Sequence, residues 1–303
     1  MVTLRNFYAM ENKKKSYLSL ILGAILISFS PVLIKDTGAP GTVSVFYRLF
    51  FGTLVLIIPF AYSRIKNKEK LNRKGVLFAS LAGLSLAIDM SMWATGIMSS
   101  NAAMPTLTAN LTPLWVGIGG YFFFKERRTV RFWIGLAIAM IGIVFLVIQD
   151  LYQPNGIFKG LMLGLFAGIF YGGFMMLVQI GRRYLDTLSF LFLSSLATTV
   201  FLGIFMLFQN LEFMGYSTKA WVLFIIMGVM IQAGAWFLIN FAQGHLPASL
   251  VAPTLLVQPV LTGVVAFLLL GEALTLWQIT GGIIVVIGIY TVHFAKQRKN
   301  TNR

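Results

Sequence analysis

Apolar residues in this chain fall into long unbroken runs joined by short polar stretches. They do not form the narrow stripes of surface helices. Residues 42–62, TVSVFYRLFFGTLVLIIPFAY, are typical. A run of about 18 or more apolar residues is long enough to cross the hydrocarbon of a bilayer as a helix. The pattern predicts ten such spans, near 17–35, 42–62, 74–97, 101–124, 131–149, 157–180, 187–208, 219–242, 247–270 and 276–295. The joints leave no room for a soluble domain. Inside a membrane every backbone group must be satisfied by the protein itself, and spans of about 20 residues do this as helices, not as the shorter strands of a barrel. The first run follows Lys13, Lys14 and Lys15, as a signal peptide would, but it is long and lacks a small-x-small cleavage site, so it is read as a span.

Composition agrees. Of 303 residues, 58% are apolar and only 11% charged, too few charges to cover a soluble surface of this size. The net charge of +15 would suggest nucleic acid in a soluble protein. Here the positions of the charges point to the lipid bilayer as partner. Twenty of the 24 Lys and Arg lie in the N-terminal tail, the C-terminal tail and alternate joints, and only Lys35, Lys159 and Lys219 lie in the opposite joints. By the positive-inside rule both termini are cytoplasmic, which fits an even number of spans in a cell (inner) membrane. There is no cysteine, so no disulfide or thiolate metal site.

The chain also repeats itself. Residues 112–126 read TPLWVGIGGYFFFKE and residues 258–272 read QPVLTGVVAFLLLGE. A shift of 146 residues lays Ala102 on Ala248, Thr108 on Thr254, Pro113 on Pro259, Gly117 on Gly263 and Glu126 on Glu272. The same shift lays Gly135 on Gly281 and Gly142 on Gly288. Spans 4–5 thus recur as spans 9–10, and the natural unit is five spans. Five is odd, so the second copy enters the membrane from the opposite side, the arrangement found in transporters. The expected organisation is a basic tail (1–16), a first five-helix repeat (17–149), a second (157–295) and a basic tail (296–303).

These residues carry a resemblance. Two five-span repeats, each with a Pro-containing fourth span, a closing Glu and a Gly-spaced last span, resemble the EamA family of the drug/metabolite transporter superfamily. VFYRLFFGTLVL (45–56) looks like that family's second span, and WATGIMSSNAAMPTLTANLTP (93–113) like its corner between spans 3 and 4. The resemblance covers residues 17–295. It implies an all-α integral membrane fold of ten transmembrane helices, two inverted five-helix repeats around a central cavity lined mainly by spans 1, 3, 4, 6, 8 and 9. It also implies export of amino acids or related metabolites.

The residues themselves supply candidate chemistry. Asp89 is the only carboxylate deep in a span, about 22 Å from its cytoplasmic end. Arg48 is the only arginine deep in a span, about 9 Å from its outer end. A charge at such depth costs at least ~2.5 kcal/mol and marks a function or a partner. Three readings stand: an Arg48–Asp89 ion pair fixing spans 2 and 3, a substrate-ammonium or proton-coupling site at Asp89, or an outward-facing position exposed to water. Span 8 carries Gln232, Trp236, Asn240 and Gln243 at helical spacing. Span 6 carries Tyr171, Met175 and Gln179, and span 3 carries Ser85, Asp89, Trp93 and Gly96. Spans 4 and 9 carry Thr108 and Thr112 and their repeat partners Thr254 and Gln258. One polar stripe needs only a neighbouring helix, but five need a common place to point, and a central cavity for a small polar or zwitterionic substrate provides it.

Pro113, Pro253 and Pro259, with Pro105 and Pro247, break the ladders of spans 4 and 9, either as hinges or as fixed kinks. Glu126 and Glu272 are read as structural, because each precedes a Thr able to cap the next helix, and Thr275 with Gln278 fits a capping box. His245 and His293 make no metal pattern, and no phosphate loop or hydrolase set is visible, so no cofactor, metal or enzyme activity is expected. The resulting expectation is a secondary active or facilitative transporter working by alternating access, as monomer or homodimer. A channel or scaffold is the alternative, and a membrane enzyme is the remoter one.

Overall fold

The computed structural model describes residues 2–67, 70–99, 108–148, 157–271 and 274–297, all helices and short connections. The helices are α1 (Val2–Ile27), α2 (Ser30–Thr37), α3 (Gly41–Asn67), α4 (Arg73–Ser99), α5 (Thr112–Phe124), α6 (Val130–Val147), α7 (Ile157–Gly181) and α8 (Thr187–Phe208). They continue as α9 (Thr218–Ile226), a π-helical segment (Met227–Ala235), α10 (Trp236–Gln243), α11 (Ala248–Leu255), α12 (Val257–Leu270) and α13 (Leu276–Gln297). Among the described residues nine helical stretches are long and apolar enough to cross a membrane. The tenth predicted span, 101–124, is described only from Thr108, and its α5 is the shorter helix that remains. The surface is that of a membrane protein: Ile58, Phe123 and Phe208 are more than 70% exposed, while Ser44, Thr198 and Gln243 are buried.

Among the described residues, three spans are interrupted. Span 1 breaks after Ile27 and restarts as α2 with Pro31 in its first turn, where a missing N–H costs no ladder bond. Span 4 turns at Asn110 and Leu111 before α5, with Pro113 again in the first turn. Span 9 breaks at Leu256, between α11, which contains Pro253, and α12, whose first turn holds Pro259. The interruptions of spans 4 and 9 occur at repeat-equivalent places.

The residues pack into two compact units that do not follow the repeat boundaries. One comprises Met1–Leu84 with Leu177–Val251, the other Ser85–Met176 with Ala252–Arg303, so each draws helices from both repeats. Within each unit a pair of repeat mates lies side by side. In the first unit α3 packs on α8: the Phe46 ring approaches Gly203, Thr53 Oγ1 lies 3.5 Å from Thr199 Oγ1, and Phe60 stacks on Phe192 at 4.3 Å. As the number rises on α3 it falls on α8, so the two run antiparallel. Thr53 and Thr199 are themselves 146 residues apart, which makes their contact the meeting of equivalent positions.

In the second unit α6 and α13 do the same through glycines. A Cβ on Gly135 would lie 2.7 Å from Val292 N, on Gly142 2.6 Å from Val285 N, on Gly281 2.8 Å from Leu146 N, and on Gly288 2.4 Å from Ala139 N. Only hydrogen fits there, and backbone meets backbone. These mates are antiparallel too. The repeat is therefore inverted, and the inversion is visible inside each unit separately.

Candidate functional site

Span 8 is where local geometry departs furthest from the expected α-helix. Residues Met227–Ala235 form nine residues of π-helix, a geometry that is rare and concentrates at functional sites. A close approach accompanies it. Gly228 meets α3 so tightly that a Cβ would stand 2.6 Å from Phe51 Cβ, and one on Gly52 would stand 2.4 Å from Gln232 Cβ. The glycines let α3 and the π segment touch, and Gln232 is pressed against α3 as a result.

Gln232, Trp236, Asn240 and Gln243 are all at most 2% exposed. Gln232 Nε2 donates to Ser195 Oγ at 2.8 Å, and Asn240 Nδ2 donates back to the Trp236 carbonyl at 2.9 Å. Their amide oxygens, Gln232 Oε1 and Asn240 Oδ1, have no hydrogen-bond partner among the described residues, and neither do Gln243 Nε2 and Oε1. A buried polar atom left unpaired costs about 1–3 kcal/mol, and most native structures carry few. Four such atoms on one short stretch supply donors and acceptors without net charge. Ser195, the π segment and the Gly52–Gly228 approach escaped the sequence reading, although glycines flanking the polar stripe were its one visible trace.

The joint after α7 braces this span. Arg182 Nε donates to the Asn240 carbonyl at 3.3 Å and Nη2 to Thr187 Oγ1 at 2.6 Å, and Nη1 reaches the Leu185 carbonyl. A cation thus sits on the last turn of α10, where the carbonyls gather negative charge. Burial lowers the Arg182 pKa, with the charge of Asp186 working against the shift. Asp186 caps α8, accepting from Ser189 N at 3.0 Å and from Ser189 Oγ at 2.6 Å. Burial pushes its pKa up, but these bonds, the nearby Arg64 and the Leu188 N–H outweigh it, and the net shift is downward.

The other predicted positions divide between the units. In the first, Arg48 is buried and its Nη1 donates to Ser30 Oγ at 3.0 Å, across the break of span 1. In the second, Asp89 is 4% exposed on α4, and Trp93, one turn further, is half-buried. Tyr171 is half-buried and stacks on Phe174, with ring centroids 6.1 Å apart. Thr108 is buried just before the interruption of span 4, and Gln258 is half-buried just after that of span 9. Thr254 Oγ1 lies 2.8 Å from His293 Nε2, which ties α11 to α13.

Several polar residues of the expected stripes have backbone partners. Thr112 Oγ1 lies within reach of the Ala109 and Gly168 carbonyls, at 2.7 and 3.1 Å, and donates its single proton there. Ser85 Oγ donates to the Phe170 carbonyl, and Gln179 Oε1 accepts the Ala248 N–H at 2.6 Å, at the start of α11. The Ala109 carbonyl and the Ala248 N–H lie at helix ends, which leave such groups open, whereas the Gly168 and Phe170 carbonyls belong to the unbroken α7. Glu126 pairs with Arg128. Thr129 occupies the N-cap of α6 but makes no capping bond, whereas the Thr275–Gln278 box forms in both directions, at 3.0 and 3.3 Å. Glu272 and Pro105 lie outside the described residues.

Nine apolar spans among the described residues, an inverted repeat, paired helix interruptions and a buried uncharged polar stripe define a multi-pass membrane protein of the transporter class. The model of the EamA-like transporter family matches residues 14–148 and again 158–294, and the chain belongs to that family. It is 23% identical over 274 residues to an uncharacterized transporter of Archaeoglobus fulgidus, an alignment covering 89% of this chain and 93% of that one. It is 24% identical over 290 residues to the pseudopaline exporter CntI of Pseudomonas aeruginosa, covering 94% and 98%. Over 81 residues, 26% of this chain, it is 35% identical to 71% of the probable 4-amino-4-deoxy-L-arabinose-phosphoundecaprenol flippase subunit ArnE of Hamiltonella defensa. A solved crystal structure shares the fold, with a TM-score of 0.79 over 94% of this chain and 99% of that one at 14% identity. The relatives are named transporters, an exporter and a flippase subunit, and the activity they support is membrane transport of small molecules.

Proposed function

We propose that this protein is a secondary transporter of the cell inner membrane, with both termini cytoplasmic, that exports a small polar or zwitterionic metabolite by alternating access. The observation that carries the reading is the span 8 stripe: Gln232, Asn240 and Gln243 keep four buried amide atoms free of protein partners among the described residues. Carboxamides offer donors and acceptors to a polar solute without trapping it by charge. The interrupted spans 4 and 9, in corresponding places of the two repeats, support a pathway that opens by bending at Pro113, Pro253 and Pro259. Export follows the name of one relative and stays tied to it. Asp89 is the coupling group, since it is buried in a span and able to exchange a proton.

The test uses purified protein in proteoliposomes and a panel of labelled amino acids and related metabolites. Saturable uptake with counterflow is expected for at least one. Flux that rises linearly with solute and shows no counterflow would make the protein a channel. Asp89→Asn is expected to abolish pH-driven uptake and spare counterflow. Equal pH-driven flux in both forms would remove Asp89 from coupling.

A further inference from the structure

The two repeats differ at one matched place on the membrane-facing surface. In the first, Gly117 of α5 is covered: a Cβ there would lie 3.1 Å from the Trp133 ring and 3.3 Å from the Phe132 ring. The Arg128 guanidinium lies over Phe132 at 5.5 Å and seals the end. The 146-residue shift turns Gly117, Arg128, Phe132 and Trp133 into Gly263, Leu274, Gln278 and Ile279. Two aromatic rings are lost. A Cβ on Gly263 would meet only Leu274 Cδ2, at 3.3 Å. Where the rings stood, the second repeat has a groove of about 480 Å³ between α12, α13 and Leu146 of α6.

We infer that this groove is a binding site for one acyl chain of a bilayer lipid. The matched position shows what fits, because its occupant in the first repeat is a flat apolar ring system. The walls are apolar, with Val260, Val264, Ile279, Ile283 and Val286 along them. Ile279, Ile283 and Val286 are about half exposed on α13, a helix long and apolar enough to cross a membrane, so the groove's mouth opens toward hydrocarbon. Polarity runs in the direction a lipid requires. Gln278 lines the end nearest the start of α13, where the Thr275–Gln278 box marks the edge of the span. Its Oε1 takes the Thr275 N–H, which leaves the amide NH2 as donor toward an ester carbonyl. From Gln278 to Ile287 the groove then runs about 14 Å along the helix with only apolar contacts, at 1.5 Å per residue. Pro259 forms part of the wall, so the chain would lie against the interruption of span 9.

The full chain, reconstituted in phosphatidylethanolamine and phosphatidylglycerol vesicles containing phosphatidylglycerol with a diazirine in its tail, is irradiated, digested and mapped by mass spectrometry. Label is expected on residues 259–287 in excess of the matched 113–141. Ile279→Trp, which supplies the ring of the first repeat, is expected to abolish that excess. Trp133→Ile is expected to create label over 113–141. If Ile279→Trp fails to fold, as read by gel filtration, Gly263→Leu fills the same space from α12. Equal label in both repeats, or label unchanged by filling the groove, overturns the inference. So does Ile283→Cys joining two copies by disulfide in vesicles where the groove takes no lipid label, which assigns the face to a second copy of the chain.

Discussion

At the scale of single residues, the contrast between satisfied and unsatisfied polar groups separates scaffold from site. Thr112 and Ser85 donate to backbone carbonyls, and Gln179 accepts a backbone N–H. Gln243 gives none to the described residues and is 1% exposed. Replacing it by methionine, of similar length, removes two orphaned polar atoms. Gln243→Met is therefore expected to stabilise the protein by about 1–3 kcal/mol in thermal unfolding while lowering transport at least tenfold. Lower stability would show that the amide is bonded in the fold. At the α8 cap, Asp186→Ala is expected to cost about 1 kcal/mol near neutral pH. The Asp186 pKa is depressed in the folded protein, so its contribution is complete above its ordinary value of 3.8 and is lost as pH falls through the lower folded value. The gap between wild type and Asp186→Ala should close in that acid window and nowhere above it. A gap that narrows between pH 8 and 5 would contradict the assignment.

At the scale of elements, two devices dominate. The α6–α13 contact depends on glycines where a Cβ would collide with backbone that cannot move aside. Gly288→Leu is expected to cost about 1–3 kcal/mol or more and to reduce the folded yield, whereas leucine at Gly271, an exposed helix end with nothing nearby, should be strained only by its left-handed backbone (φ 68°). The π segment is the second device. A π turn holds one residue more than an α turn, so deleting Ala233 should take one π turn to α-helix, leave Asn240 and Gln243 facing as they do, and shift Gln232 from its place against α3. Folded protein with abolished transport is the expected outcome. Unimpaired counterflow would mean that the π geometry does not position the stripe.

At the scale of the whole molecule, inversion makes a topological prediction. The joint 125–131 and the joint 271–275 must lie on opposite sides of the membrane. The chain has no cysteine, so Arg127→Cys and Leu274→Cys report without background. A membrane-impermeant maleimide applied to intact cells is expected to label Leu274→Cys alone. Labelling of Arg127→Cys alone would reverse the orientation and spare the inversion, and labelling of both would refute it.

The sequence by itself determined the membrane class, the helical spans, the repeat and the pairing of glycines, because hydrophobic length and residue identity at a fixed shift are local or periodic signals. It also marked span 8, since a polar stripe in an apolar run is visible without coordinates. Only the tertiary structure decided which polar groups remain unpaired. A Thr112 that bonds a carbonyl across span 6 and a Gln243 that bonds nothing described look alike in a string. The π turns, the break at Pro31 and the regrouping of both repeats into mixed units likewise arise from backbone meeting backbone over long separations. So does the groove over Gly263, which exists because two aromatic rings elsewhere in the chain have no counterpart beside it.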